Sequence, residues 1–280
     1  MVRGDLDRGG KIYLRRKKPL GLLSNYALHY VGHINVGERQ VSADYFGEFA
    51  RIMPWRLRAM SSDHFVSMLS NGPCGDINNI DFHSKRAPRQ PFEQIRIVAA
   101  KVADASWRAS KGIKEYRSDT PVAMLQREVP LDWRRPSEAL MRRSKEILAM
   151  TPEEQSKLPR LATNYAQRAL SQEKREGKAD CLVQAIRIGD QAIVTFPFET
   201  FVETGLEIKK KSPFKHTFLI ELANGSYGYL PTPKHHELGG YETWLGTNKV
   251  QKDGSDLLTR NLLEMLTELH AGGNAKPAEK

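Results

Sequence analysis

Apolar positions along this chain follow two rhythms, and the switching between them predicts its elements. β-prone runs occupy residues 19–30, Phe65 to Leu69, Cys181 to Ile188, Gln191 to Thr195 and Phe218 to Ile220, most of them bounded by Gly, Pro, Asn or Asp. Helical spacing takes over from Ser42 to Met53 and from Ser255 to Leu269, and from Pro91 to Ser106 through Phe92, Ile95, Ile97, Val98 and Val102. Thr151-Pro152-Glu153-Glu154 combines an N-cap, a proline at the first helical position and a glutamate placed for a capping box, so a helix is expected to run toward Gly177. Gly189-Asp190 joins two apolar runs as a hairpin turn, whereas Tyr116 to Trp133 holds two prolines and reads as irregular with a strand. Helices alternating with strands predict an α/β fold, a mixed β-sheet core flanked by helices, as one domain over residues 1–272 with a polar tail at 273–280.

The densest chemistry lies between residues 197 and 242. Ile193, Val194 and Thr195 precede Pro197-Phe198-Glu199, which is expected to open a helix and so set Glu199 where a strand hands over to it. After Phe218-Leu219-Ile220, an Asn224-Gly225-Ser226 turn would bring Tyr227 and Tyr229 to the same sheet edge, with Gly239-Gly240 leading into Tyr241-Glu242. A second polar concentration, Asp76, Asn78, Asn79 and Asp81, follows the helix-breaking run Asn71-Gly72-Pro73-Cys74-Gly75. Asp76 there can orient a base, stand behind a metal ligand or cap a turn. Cys74 is a nucleophile if a base lowers its pKa, and an inert thiol if it is simply buried.

Three segments carry a family likeness. Leu22-Leu23-Ser24-Asn25-Tyr26-Ala27-Leu28-His29-Tyr30, Gly75-Asp76-Ile77-Asn78-Asn79-Ile80-Asp81 and the 197–242 stretch resemble the neutral/alkaline non-lysosomal ceramidase family, and more closely its shorter bacterial relatives of unassigned substrate, over residues 10–270. The resemblance implies a ceramidase catalytic-domain-like fold, incomplete at its N-terminal side. It implies zinc as cofactor with His29, Glu199 and Tyr229 as metal ligands. Tyr241 becomes the group on the substrate carbonyl or its oxyanion, and Asp76 and Asn78 belong to the nucleophile loop. The implied reaction is metal-assisted hydrolysis of an amide or related carbonyl bond in a small-molecule or lipid-like substrate. Two departures accompany the likeness. The family's His-x-His-Ser-Gly motif has no counterpart in this chain, and Asn78 stands where the family has its serine, so no acyl-enzyme can form at that position. The alternative is a noncatalytic or truncated relative serving as a binding scaffold. His33, four residues after His29 but with Gly32 between, and His235-His236, read as a solvent-facing loop pair, stay outside the metal set.

Length and composition narrow the surroundings. A chain of 280 residues with 40% hydrophobic content suffices for one sizeable core. No apolar run of about 18 residues predicts a membrane span, and Met1 is followed by charge rather than an apolar segment. The chain as it stands is expected in the cytoplasm, or outside it if a longer N-terminus carries a signal. Two cysteines form neither a zinc spacing nor a disulfide framework. The net charge of +10 is concentrated: residues 1–20 hold seven basic residues against Asp5 and Asp7, half of the excess. A basic surface-binding module over residues 3–18 is a further reading, recognisable by steep salt dependence, and no nucleic-acid fingerprint accompanies it.

Overall fold

The computed structural model describes residues 7–13, 19–32, 40–60, 64–79, 81, 83, 89–113, 116–117 and 119–272, with residues 7–13 described in their backbone only. His33, the polar tail and the whole basic segment 3–18 lie outside the described side chains.

The first layer of the fold is built on β2. Strand β1 (Asp7–Tyr13) pairs antiparallel with β2 (Pro19–Tyr26), which pairs in parallel with β3 (Val66–Asn71). Helices α1 (Asp44–Arg56) and α2 (Glu93–Lys111) close one side of this sheet, where Leu22 packs among Tyr45, Phe49, Met53, Ile95 and Val102. The start of α1 also holds the chain leaving β2. The Asp44 carboxylate accepts the Val31 and Gly32 N–H groups at 3.1 and 2.9 Å, and the Tyr45 hydroxyl donates to the Leu28 carbonyl at 2.6 Å. Residues 28–32 are thereby fixed without belonging to any strand.

The second sheet runs β4 (Val122–Asp132), β5 (Lys178–Ile188), β6 (Gln191–Thr195), β8 (His216–Ile220), with the β6–β8 pair parallel and the others antiparallel. Between β4 and β5 come α3 (Glu138–Ala149), α4 (Pro152–Ser156) and α5 (Ala162–Glu173). Between β6 and β8 lie the two-residue β7 (Glu199–Thr200) and α6 (Val202–Lys211); after β8 come β9 (Tyr229–Leu230), α7 (Pro233–Leu238), a 3-10 turn over Tyr241–Thr243 and α8 (Gly254–Gly272). The strict alternation of β5, with Ala179, Cys181, Val183 and Ala185 buried, presents one face to Leu258, Leu262, Met265 and Leu266 of α8. The two sheets touch at β8, where the Asn25 amide of β2 donates to the Leu219 carbonyl at 2.8 Å and the Glu221 N–H reaches the Asn71 carbonyl at 3.0 Å.

The α/β architecture with a mixed sheet matches expectation, and five local readings need correction. The strand read over residues 19–30 ends at Tyr26, because the chain beyond it is held by Asp44 and Tyr45 rather than by a neighbouring strand, so His29 follows the strand instead of ending it. Within the stretch read as irregular with a strand, residues 122–132 are a full eleven-residue strand, because Pro130 sits on an edge strand, where a missing N–H costs no ladder bond. The expected helix from Thr151 toward Gly177 is two helices: the capping box forms as read, but Pro159 and a left-handed Leu161 (φ 70°) break the run between Ser156 and Ala162. Glu199 lies in β7, and the helix opens three residues later at Val202. His235 and His236 belong to α7, opened by Pro233 at a first-turn position. Both ring nitrogens of His236 are buried without a hydrogen-bond partner, and burial lowers its pKa to about 4, so it is a neutral packed ring rather than a solvent-facing one. Among the described residues no helix is long and apolar enough to cross a membrane.

Because Asn25 supplies the Leu219 carbonyl with its donor across the sheet contact, Asn25→Ala is expected to destabilise the protein by about 1–3 kcal/mol. Urea unfolding measures this, and an unchanged midpoint would contradict the sheet-to-sheet role.

Candidate active site

Two chain segments deliver the chemistry, and each is pinned by backbone hydrogen bonds. On one side, the His29 N–H donates to the Ile77 carbonyl at 2.9 Å, and the Asn79 side-chain amide donates back to the His29 carbonyl. The polar loop after β3 is thus fastened to the exit of β2. On the other side, β7 and β9 run in parallel with Glu199 directly opposite Tyr229, and the Glu199 N–H bonds to the Gly228 carbonyl at 2.9 Å. Gly228 has φ 86°, and a Cβ there would stand 2.2 Å from the Thr247 carbonyl oxygen, so only glycine fits beneath Tyr229. The two halves then meet through Gly75, whose N–H donates to the Thr200 carbonyl at 2.9 Å; a Cβ at 75 would fall 2.6 Å from the Glu199 carbonyl oxygen.

This brings His29, Glu199, Tyr229 and Tyr241 together. The His29 Nδ1 lies 3.7 Å from Glu199 Oε2, the His29 and Tyr229 rings are 6.4 Å apart and nearly parallel, and the Tyr229 and Tyr241 hydroxyls are 2.9 Å apart. Tyr30 stacks on His29 at 4.3 Å and, like Tyr241, is about half exposed, so two phenol rings border the centre on its solvent side. Burial holds the His29 pKa below 6.5 despite the opposing charges of Glu199, Asp44 and Glu242. The ring is therefore neutral at neutral pH, and its contact with Glu199 is not an ion pair. Burial first, then the Tyr241 hydrogen bond and the Glu199 charge push the Tyr229 phenol far above its ordinary value. Glu199 Oε2 is buried and has no hydrogen-bond partner.

The loop residues divide by role. Asp76 Oδ1 accepts the Val202 N–H at 2.8 Å, so its carboxylate caps the start of α6, while burial raises its pKa. Asn78 is exposed on the same loop, one residue from each of the contacts that fasten it to His29. Cys74 is fully buried, 4.0 Å from His29 Nδ1, and its thiol donates to Glu221 Oε1 at 2.8 Å. Burial and the neighbouring Glu221 drive that thiol well above its ordinary pKa, which leaves it a hydrogen-bond donor and not a nucleophile.

Glu221 is the residue that sequence reasoning missed. Its Oε2 accepts the backbone N–H groups of Cys74 and Thr200, each at 3.0 Å, and its Oε1 accepts the Cys74 thiol and the Asn71 amide at 2.9 Å. One carboxylate joins the end of β3, the polar loop, β7 and the end of β8. The available signal was a glutamate placed directly after the apolar run Phe218-Leu219-Ile220, where a strand end at a buried sheet contact leaves no water for a charge.

No family model matches this chain, and no curated protein matches it. Solved structures do. The neutral ceramidase from Pseudomonas aeruginosa superposes with a TM-score of 0.62 at 14% identity, covering 95% of this chain and 46% of that one. The fold resembles that of neutral ceramidase. A structure described as ceramidase complexed with C2 matches over the same share of this chain with a TM-score of 0.63 and 14% identity, covering 47% of its own length. This chain therefore spans less than half of the ceramidases it superposes on, and at this identity the likeness concerns the fold.

Burial raises the Glu221 carboxyl from 4.5 to about 8, against the donors that favour its ionised form. Between those values the folded protein keeps a proton that the unfolded chain releases, so the stability this group contributes is complete below 4.5 and is lost as pH rises toward 8. Glu221→Gln turns an amide N–H toward existing donors and is expected to cost about 1–3 kcal/mol. Thermal unfolding across this range should show the wild-type advantage over Glu221→Gln shrinking as pH rises; a constant difference would refute the buried proton.

Proposed function

We propose that this protein is a metal-dependent hydrolase of an amide or related carbonyl bond, with His29, Glu199 and Tyr229 holding the metal. The observation that carries this reading is the unpartnered, buried Glu199 Oε2, 3.7 Å from the nitrogen of a neutral imidazole and beside a phenol that the same carboxylate discourages from ionising. Imidazole nitrogen, carboxylate oxygen and phenol oxygen are a donor set that suits zinc, and a cation among them answers the uncompensated negative charge. Three protein donors with one position open is the count of a catalytic site. Among the described residues no three His, Cys, Asp or Glu side chains gather, so Tyr229 is indispensable to the set. Zinc bound there supplies a Lewis acid that polarises a carbonyl and lowers the pKa of water.

The remaining residues orient and stabilise. Tyr241, half exposed and hydrogen-bonded to Tyr229, offers its hydroxyl to the oxygen on which charge develops. Tyr30 provides an apolar ring at the rim against which a lipid-like acyl or amide group can lie. Asp76 acts as a positioning residue, tying the polar loop to α6. Asn78 can donate to and accept from a bound substrate but cannot be acylated, and Cys74 is committed to Glu221, so hydrolysis is proposed to proceed without a covalent enzyme intermediate at this loop. The ceramidase fold supports a lipid-like amide as substrate class. The same absence of a nucleophile favours a second reading, a noncatalytic scaffold, should metal fail to bind.

Zinc is expected in equimolar amount by elemental analysis of protein purified without chelator, and Glu199→Ala should remove it while the circular dichroism spectrum stays unchanged. Metal retained in the folded variant would defeat the ligand set. With zinc-loaded protein and N-acyl substrates, including ceramide, Tyr241→Phe is expected to lower kcat about 10²-fold with KM little changed. Product formation should show no burst, and mass spectrometry should find no acyl adduct on residues 71–79; an adduct there would overturn the direct-hydrolysis route.

A further inference from the structure

The region between α5 and residues 244–250 gathers charge from several segments that neither the core nor the candidate centre uses. Its cations fall into two groups. Arg134 and Arg135 are committed to protein acceptors: Arg134 Nη1 to the Thr243 carbonyl at 2.6 Å and Asn248 Oδ1 at 2.9 Å, Arg135 Nη1 to the Glu173 carbonyl at 2.5 Å. Arg168, Arg175 and Lys249 form no ion pair among the described residues. These three line a cavity of about 260 Å³ together with Asn164, Gln167 and Ser171.

Both guanidinium groups lie against aromatic rings, and Lys249 is tied through its backbone. The Arg168 guanidinium lies 5.0 Å from the Tyr165 ring centre, with Nη1 3.5 Å from Thr247 Oγ1, and Arg175 lies 4.1 Å over Trp133. The Lys249 carbonyl receives the buried Gln172 amide at 2.5 Å, which fixes the lysine backbone against α5. Lys249 is half-buried, and burial followed by the Arg175 and Arg168 charges lowers its pKa. Lys249 is repelled by both guanidinium charges, with Glu199 opposing them, and an anion among the three cations relieves that repulsion. Two guanidinium groups also offer planar, forked donors matched to oxyanions.

We propose that this cavity binds a small multivalent oxyanion, a phosphoryl or dicarboxylate group, through Arg168, Arg175 and Lys249, with Asn164, Gln167 and Ser171 as neutral partners. The site is distinct from the candidate centre but shares a segment with it. The Thr247 carbonyl accepts the Tyr229 N–H at 3.1 Å, and the Asn248 amide donates to the Tyr229 carbonyl at 3.1 Å. An occupant of the cavity therefore stiffens the segment on which β9 rests.

The test is calorimetry and thermal unfolding of the full chain with inorganic phosphate, pyrophosphate or malonate, each compared with sodium chloride at matched ionic strength. At least one multivalent probe is expected to raise Tm where chloride does not. Lys249→Gln and, separately, Arg175→Gln should weaken that binding about tenfold or more, while Lys157→Gln, exposed, paired with Glu153 and outside the cavity lining, should leave it unchanged. Without anions, Lys249→Gln should melt at or above wild type, since it removes one of three repelling charges. Tighter binding of phosphate and pyrophosphate than malonate assigns a phosphoryl ligand, and the reverse order a dicarboxylate. Equal shifts with chloride, or full affinity in both cavity variants, would overturn the proposal.

Discussion

A single buried carboxylate, Glu221, is the point through which the rest of the candidate centre is organised. Four donors converge on it from three parts of the chain: Asn71 at the end of β3, Cys74 by its thiol and N–H, and Thr200 in β7. The four donors favour the ionised carboxylate while burial opposes it, so the group holds its place through all four contacts. The same contacts that satisfy it align the polar loop with β7, so the demand for satisfaction and the placement of Glu199 are one constraint. Gly75 makes the alignment sterically possible by letting the loop backbone lie against the Glu199 carbonyl.

The centre assembled in this way is short of positive charge. His29 is neutral through burial, the Tyr229 phenol is held protonated, and Glu199 keeps one buried oxygen without a donor. A protein usually satisfies such an oxygen with its own groups. Here Asn71 and the Cys74 thiol are engaged on Glu221, and the His29 Nδ1 stands 3.7 Å from the oxygen, beyond hydrogen-bond reach. A Lewis-acidic cation fits both the charge and the donor types, and this supports the metal-dependent reading proposed above.

The 244–250 segment, which begins three residues after Tyr241, shows the opposite imbalance. It supports β9 through Thr247 and Asn248 while presenting Lys249 to Arg168 and Arg175. One short segment thus lies between a cation-poor centre and an anion-poor cavity. The Glu199 charge itself favours the charged form of Lys249, so the two regions are electrostatically coupled.

The sequence by itself determined the alternation of helices and strands, the hairpin at Gly189-Asp190, the capping box at Thr151 and the closing helix, because each rests on local periodicity or a local capping pattern. It also marked His29, Glu199, Tyr229 and Tyr241 as candidates, and the fold brings these four together. What it could not decide were features set by partners distant in sequence. Pro130 is tolerated because tertiary structure makes β4 an edge. Glu199 is a strand residue because β9, thirty residues away, pairs with it. The Cys74 thiol is inert, Asp76 is a helix cap and Glu221 is an organising acid for the same reason: burial and hydrogen-bond satisfaction are properties of neighbours in space, which local sequence patterns do not encode.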